Sequence, residues 1–420
     1  MRVRRWLCLA LAAGLLATGG AAARAADAGD WIGTWGASPQ PMWTADFPAP
    51  PRITPNLWNQ TVRELATVSL GGSRVRVLLT NEYGQRPLVV GAAHVAIFDK
   101  GAAIAAGTDR PLTFGGRPSI TIPPEAPAIS DPVDLAVAPL ATLAVSLYLP
   151  EVTPITTFHW EGRQTAAIVA GDHVADLDFK PDSTTTTKVF LSEVMVEAGP
   201  GARAVVAFGD SITDGDGSTF GASRRWTDDL ARRLAARAGP PVAVVNQGIS
   251  GARMLRDRLG ANALARFDAD VLVQPRADVV VLMMGINDIG WPGTVLSPDG
   301  ILPTADQIVA GYEQLIARAH LRGLRIVGAT LTPFEDAFHG TPLFGYYSPA
   351  KDAIREAVNR WIRESGRFDA VLDFDALVRD PTRPAHIKAA FDSGDHLHPN
   401  DAGYQAMADA VDLDRLLGAP

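Results

Sequence analysis

The feature that most constrains this chain is the apolar run Ala204-Val205-Val206-Ala207-Phe208, which stops at Gly209 and is followed at once by Asp210 and Ser211. The run is too short for a helix and is bounded by turn residues, so it predicts a buried strand. In open α/β sheets ligands bind in the crevice beyond the carboxyl ends of the strands, and a hydroxyl delivered there is placed for chemistry. The same residues also fit a plain strand-to-helix turn in which Ser211 caps the next helix, because Ser and Asp are ordinary turn and cap residues.

Three later stretches bear on that choice. Asn246-Gln247-Gly248-Ile249-Ser250-Gly251 follows the apolar run 242–245, Gly285-Ile286-Asn287-Asp288 follows 279–284, and Asp395-His396-Leu397-His398-Pro399 lies near the end. The first two again put polar residues just past an expected strand. Together the pieces resemble the SGNH or GDSL family of serine hydrolases, named for Ser, Gly, Asn and His in four blocks. The blocks match in order at Ser211, Gly248, Asn287 and His398, with the acid at Asp395, over roughly residues 203–418 and with no departure at those positions.

The resemblance implies a flavodoxin-like parallel sheet and an esterase that needs neither metal nor cofactor. It implies Ser211 as nucleophile, His398 as base and Asp395 as the group that orients the base. It further implies an oxyanion hole made of the Ser211 N–H, the Gly248 N–H and the Asn287 side-chain amide. The residue types suit these roles. A serine hydroxyl is a weak nucleophile until a base takes its proton, glycine permits close approach, and an asparagine amide donates where a carboxylate cannot. Asp210, Asp214 and Asp288 read as carboxylates that brace loops.

His396, one residue from Asp395, competes with His398 as the base, and only the family spacing selects His398. Asp395, His396 and His398 also suggest a metal site, although such sites require further ligands and His320, His339 and His386 stand in no ligand spacing. A non-catalytic glycan-binding protein is a third reading, which a buried Ser211 would favour. No Gly-x-Ser-x-Gly elbow of the α/β-hydrolase type is present.

At 420 residues the chain exceeds what one core usually supports, so two domains are expected. Residues 1–25 have the charged, apolar and small-residue regions of a secretory signal peptide, with Arg4-Arg5 as a faint twin-arginine feature. Cleavage after Ala25 would remove Arg2, Arg4, Arg5 and Arg24, taking 38 basic residues to 34 against 46 acidic ones and the formal charge to −12. Such a surface argues against nucleic acid and anionic membranes as partners. Cys8, the only cysteine, lies in that leader, so the mature product would carry no thiol. No later run approaches a membrane span. The expected product is soluble and is either secreted or periplasmic.

Residues 30–198 predict an all-β sandwich or jelly-roll module, because apolar and polar residues alternate in short runs separated by Pro- and Gly-rich turns. Residues 61–70 and 73–79 flank Gly71-Gly72 and predict a β-hairpin. Further strands are expected at 88–98, 119–122, 141–149 and 188–196, with Gly199-Pro200-Gly201 as an exit linker. The opening Trp31-Ile32-Gly33-Thr34-Trp35-Gly36 resembles that of secreted two-domain GDSL proteins, including an XynE-like group associated with plant polysaccharide breakdown. Trp35, Trp43, Trp58 and Trp160 could then form a glycan platform, or they could fill a core.

From 203 onward strands and helices alternate, which predicts a parallel sheet covered on both faces. The natural substrate is expected to be a carboxylic ester, either of short acyl length on a carbohydrate or of longer acyl or aryl type. Loops 290–304 and 333–348 are the expected walls of its site.

Overall fold

The structure is a computed structural model that describes residues 30–418 apart from Ala45, Asp46 and Ala49. The expected signal peptide and Cys8 lie outside the described residues.

The first half is all β. Strands β1 (Trp31–Gly36), β2 (Gln60–Thr67), β3 (Gly72–Thr80), β4 (Thr142–Leu149) and β5 (Leu191–Glu197) are its longest strands or contact-forming edges. They fall into two antiparallel sheets: β1, β5 and β3 make one, with short strands beyond, and β2 and β4 lie at the centre of the other. Ile32, Val75, Val77, Val194 and Val196 from the first meet Val62, Ala66, Val145 and Leu147 from the second in one buried cluster.

The expected hairpin is not formed. Although β2 and β3 are joined by a short link, β2 pairs with β4 and Ala166–Ala170, while β3 pairs with β5. The link leaves one sheet for the other because its own groups bond elsewhere: the Val68 amide to Ala141 O and the Ser69 amide to Thr34 O. At Gly71 the backbone passes so close to Val137 O that a Cβ would lie 2.2 Å from it, so this glycine serves a crossing and not a two-residue turn.

The second half carries a five-stranded parallel sheet. In chain order its strands are β6 (Arg203–Gly209), β7 (Val242–Gly248), β8 (Ala277–Met283), β9 (Arg325–Ala329) and β10 (Ala370–Leu372), and in space they run β7-β6-β8-β9-β10. That is the 2-1-3-4-5 order of doubly wound sheets, whose switch point lies between the first and third strands. Buried clusters lie on both faces. Val206, Phe208, Val280 and Leu282 face one, and Val205, Ala207, Val279 and Val281 face the other, as the period of two requires.

Helices α1 (Ser211–Asp214), α2 (Trp226–Ala235), α3 (Ile286–Gly290), α4 (Ala305–Leu321), α5 (Pro349–Glu364) and α6 (Asp401–Asp409) fill the connections. After α6 the chain starts a separate turn at Leu413–Leu417, which Asp412 caps. Among the described residues no helix is long and apolar enough to cross a membrane.

The all-β half abuts the free edge of β7. Ser69 Oγ accepts the Val244 N–H (2.9 Å) and donates to Thr34 O (2.8 Å), so one hydroxyl occupies a position that a sixth strand would take. Ser38 Oγ bonds Gln247 Oε1 (2.5 Å), Gln40 Nε2 bonds Leu259 O (2.6 Å), and Arg163 bonds Ser218 O.

Trp226, fully buried at the start of α2, packs against Phe374 with ring centroids 5.7 Å apart. Trp226→Ala should lower the unfolding free energy by about 3–5 kcal/mol through lost burial and the cavity left. Denaturant unfolding checks this, and a loss under about 1 kcal/mol would mean that the helix does not depend on that packing.

Candidate active site

Strand β6 ends at Gly209, and the chain turns directly into α1. Asp210 caps this helix through Oδ1 and the Ile212 amide (3.1 Å), which leaves Ser211 as the first helical residue. Its N–H therefore has no intrahelical acceptor. The cap reading of the sequence thus belongs to Asp210. Ser211 Oγ lies 2.8 Å from His398 Nε2 across 187 residues of chain.

His398 Nδ1 in turn lies 2.6 Å from Asp395 Oδ2, while Asp395 Oδ1 accepts the Leu397 and His398 amides. The turn that makes this possible is anchored by α6, whose cap is Asn400. Asn400 Nδ2 also holds Ala390 O and Asp392 O, so the histidine rests on a fixed base. His396 points elsewhere: it has φ +62° and its Nδ1 meets Asp392 Oδ2 at 2.5 Å. The two histidines thus face two different carboxylates. Among the described residues no group of three or more His, Cys, Asp or Glu side chains is placed to hold a metal ion.

Ser211 is 4% exposed and His398 5%. A serine buried only to cap a helix would bond backbone amides, whereas this hydroxyl bonds an imidazole that is itself paired with a carboxylate. Burial therefore does not favour the non-catalytic reading. Loop 333–348 supplies the cover: Phe338 packs edge-on to the His398 ring at 5.9 Å, and its amide donates to Asp395 O (2.9 Å).

Asn287 is buried on α3, and its amide is fixed in one orientation. Oδ1 accepts the Trp291 indole N–H (2.9 Å) and the Tyr346 hydroxyl (2.8 Å), and Nδ2 donates to Ala252 O (3.0 Å). With the oxygen held by two donors, the nitrogen must face the other way and keeps a second N–H to offer. Trp291 and Tyr346 lie in the two loops expected to wall the site, but the sequence reading did not foresee that they hold Asn287. The first stood one helical turn after Asn287, a spacing that brings side chains together. The second left only the signal of Gly290, where a Cβ would lie 2.2 Å from the Tyr346 ring.

Gly248 needs a correction. Its N–H donates to Asn246 Oδ1 (2.8 Å), and its Cα faces the end of α1, where a Cβ would lie 2.4 Å from the Asp214 amide nitrogen. It packs β7 under the helix of Ser211 and has no free donor to offer. Of the neighbouring amides, Ile249 N–H goes to Gly209 O, Ser250 N–H to Asp214 Oδ2 and Ala252 N–H to Ile249 O. That leaves the Gly251 N–H, which has no acceptor among the described residues. Gly251 has φ +77°, a conformation that favours glycine. Gly248 and Gly251 both close apolar-to-polar stretches, so residue type alone could not separate them.

The three bracing aspartates behave as their contacts dictate. Asp288 accepts the Met254 and Leu255 amides (2.6 and 3.0 Å), and burial lifts its pKa to about 6 against those bonds. Burial likewise pushes Asp210 up to about 7. Asp214 goes the other way: burial opposes its ionisation, but His159 holds its carboxyl below the ordinary value. At His398, burial works against charge on the ring, yet Asp395 and then Asp216 and Asp210 outweigh it and hold the pKa up to about 9. Asp395, pulled down by His398 and its amides against its own burial, stays ionised.

The doubly wound sheet and the Ser-His-Asp contact at its switch point define a hydrolase-type site. Residues 207–406 match the model of the GDSL-like Lipase/Acylhydrolase family, so this part of the chain is a domain of that family. Among solved structures it is similar to the lipase/acylhydrolase from Enterococcus faecalis, at 22% identity over 50% of this chain and 92% of that one, with a TM-score of 0.37. It is also similar to the aryl esterase of M. smegmatis, at 18% identity over 50% and 95%, with a TM-score of 0.39. No curated protein matches the chain.

A general base works only when neutral, so kcat/KM should rise with pH through the pKa of His398, well above the ordinary imidazole value of about 6.5. Asp395→Asn removes the main charge favouring the imidazolium and should move that limb to lower pH while lowering kcat. Steady-state rates on an uncharged ester across pH check both, and a wild-type limb at or below about 6.5 would contradict the geometry.

Proposed function

We propose that this chain is an exported serine esterase acting through an acyl-enzyme, with Ser211 as nucleophile, His398 as base and Asp395 as its orienting acid. The observation that carries the reading is the unbroken contact Ser211 Oγ–His398 Nε2–His398 Nδ1–Asp395 Oδ2 at 2.8 and 2.6 Å. The family of residues 207–406 supports an esterase or acylhydrolase activity.

In this mechanism His398 takes the hydroxyl proton as Ser211 Oγ bonds the ester carbonyl carbon. The carbonyl oxygen, now negative, receives hydrogen bonds from Ser211 N–H, the second Asn287 Nδ2–H and, in place of Gly248, the Gly251 N–H. The tetrahedral centre collapses and expels the alkoxide, which takes the proton from His398. Water, deprotonated by the same imidazole, then releases the acid and regenerates the serine. Asp395 keeps Nδ1 as the donor face throughout.

The near-complete burial of Ser211 and His398, with Phe338 edge-on to the imidazole, favours a small acyl group such as acetyl, as in acylated polysaccharides of the kind linked to the XynE-like group. A second reading has its own support. A cavity of about 370 Å³ lies beside Asp288, with Leu255, Pro292, Ile301 and Pro303 in its wall, and it could take a longer or aryl chain. The glycan platform has little support, since Trp43 packs against both Trp160 and Phe158, Trp35 is buried, and of the four rings Trp58 alone, 67% exposed, stands largely free.

Ser211→Ala should lose turnover and covalent labelling by an organophosphonate, and a labelled alanine variant would refute the nucleophile. Rates on p-nitrophenyl esters of rising acyl length, beside acetylated xylan, separate the two substrate readings: a fall beyond acetyl supports the first and a rise supports the second. Asn287→Ala should lower kcat by about 10²–10³, equivalent to about 2.7–4 kcal/mol, with KM little changed. A change within about twofold would place the oxyanion donors elsewhere.

A further inference from the structure

The all-β half sends a buried histidine into the catalytic half. His159, on the short strand Thr157–His159, is 5% exposed. Its Nδ1 lies 3.0 Å from Ser38 O and its Nε2 3.1 Å from Asp214 Oδ1. Both partners are acceptors, and a neutral imidazole carries a single N–H. Satisfying both therefore requires the imidazolium, whose charge then faces the Asp214 carboxylate.

Asp214 is the last residue of α1, the helix that Ser211 begins. Its amide donates to Asp210 O (2.9 Å). Its second oxygen, Oδ2, accepts both the N–H and the hydroxyl of Ser250, each at 2.9 Å. Ser250 immediately precedes Gly251, whose N–H is unclaimed. The Ser250 hydroxyl also lies 3.1 Å from Asp216 Oδ2, which is 4.0 Å from His398 Nε2. One carboxylate thus ties the nucleophile's helix to the loop holding an oxyanion donor, and its other oxygen is held only by His159 among the described residues.

We propose that His159 is a positioning residue for the esterase site, so that the all-β half completes the catalytic centre by clamping Asp214; this rests on the reading of Ser211 and His398 given above. A buried carboxylate that loses its partner turns toward another cation, and Arg225 is close enough to attract it and keep it ionised. That turn releases Ser250 and alters the gap between Ser211 Oγ and the Gly251 N–H. A misplacement of about 1 Å at such a site can cost 10²-fold in rate. The junction itself does not depend on His159, since Ser38–Gln247, Gln40–Leu259 and Ser69–Val244 bonds span it independently.

The charged groups around His159 are Asp214 and Arg225 from the catalytic half and Lys188 from the all-β half, which line one small space with it. Glu64 and Asp270 also feel its charge. Those around His398 are Asp395, Asp216 and Asp210. Replacing His159 by a neutral group leaves Asp214 uncompensated on the Asp216 side of His398, and added negative charge there favours the imidazolium.

The test uses the full chain. His159→Gln should lower kcat at least about tenfold with KM within about twofold, and should move the acid limb of kcat/KM to higher pH. The double variant His159→Gln/Asp214→Asn restores a neutral, hydrogen-bonded pair, because the glutamine can donate to Ser38 O and accept from the asparagine amide. It should recover kcat to within about threefold of wild type and return the limb. A purely structural contact would move the thermal midpoint but not the limb. A folded His159→Gln with kcat within about twofold and an unshifted limb overturns the proposal. So does a folded double variant below about a tenth of wild-type kcat, which remains decisive if the single variant does not fold. Ser211→Ala, run alongside, separates the two readings: if it is inactive, a silent His159→Gln removes the clamp alone, whereas an active Ser211→Ala removes both.

Discussion

The constraint on which this structure turns is the burial of carboxylates beyond the ends of β6, β7 and β8. Asp210, Asp214 and Asp288 are each at most 4% exposed, and Asp216 and Asp395 lie close by. An unpaired buried charge is strongly unfavourable, so each group must find amides or a cation, and the loops are shaped by that need. Asp288 gathers the Met254 and Leu255 amides, Asp210 the Ile212 amide, and Asp395 the Leu397 and His398 amides. Two imidazoles do the rest: His398 beside Asp395, and His159 beside Asp214. The negative field of Asp395, and then of Asp216 and Asp210, also raises the basicity of His398.

The sheet explains why these groups meet. Parallel strands bring all their carboxyl ends to one edge, and the 2-1-3-4-5 order splits the outgoing chains around β6. Ser211 leaves from β6, the loop with Gly251 from β7 and Asn287 from β8. His398 comes from much later in the chain, yet the α6 packing against α2 returns it to the same edge through Tyr404, whose hydroxyl donates to Asp216 O (2.5 Å). No local sequence signal encodes that return; burial of the Tyr404 ring does.

How much was legible follows from how local each signal is. The strand ending at Gly209 and the βα alternation were readable because buried parallel strands are apolar runs closed by turns. Ser211, Asn287, Asp395 and His398 were readable as residue types in ordered blocks; the structure joins Ser211, His398 and Asp395 by hydrogen bonds and sets Asn287 just past the end of the neighbouring strand β8. Gly248 was misplaced because which amide is free depends on where Asn246 puts its side chain, a contact the order of residues does not show. The hairpin failed for a related reason: alternation fixes which residues face a core but not which strand is the neighbour. His159 carried no signal, since a lone histidine beside Trp160 reads as core until its two acceptors are seen.

These failures share a location, and the location has a physical meaning. Gly248, Asn246, Ser38 and His159 all lie where the all-β half meets β7, the open edge of the parallel sheet. An exposed edge offers unpaired amides to any passing strand, and here Ser69 takes the Val244 amide while Ser38 and Gln40 reach Gln247 and Leu259. An edge covered by side-chain hydroxyls and amides, instead of another strand, leaves its geometry to individual hydrogen bonds. A strand in that position would fill β7 with a regular ladder and leave no opening for an imidazole. Because the cover is irregular, His159 can pass beside β7 and reach the helix that carries Ser211.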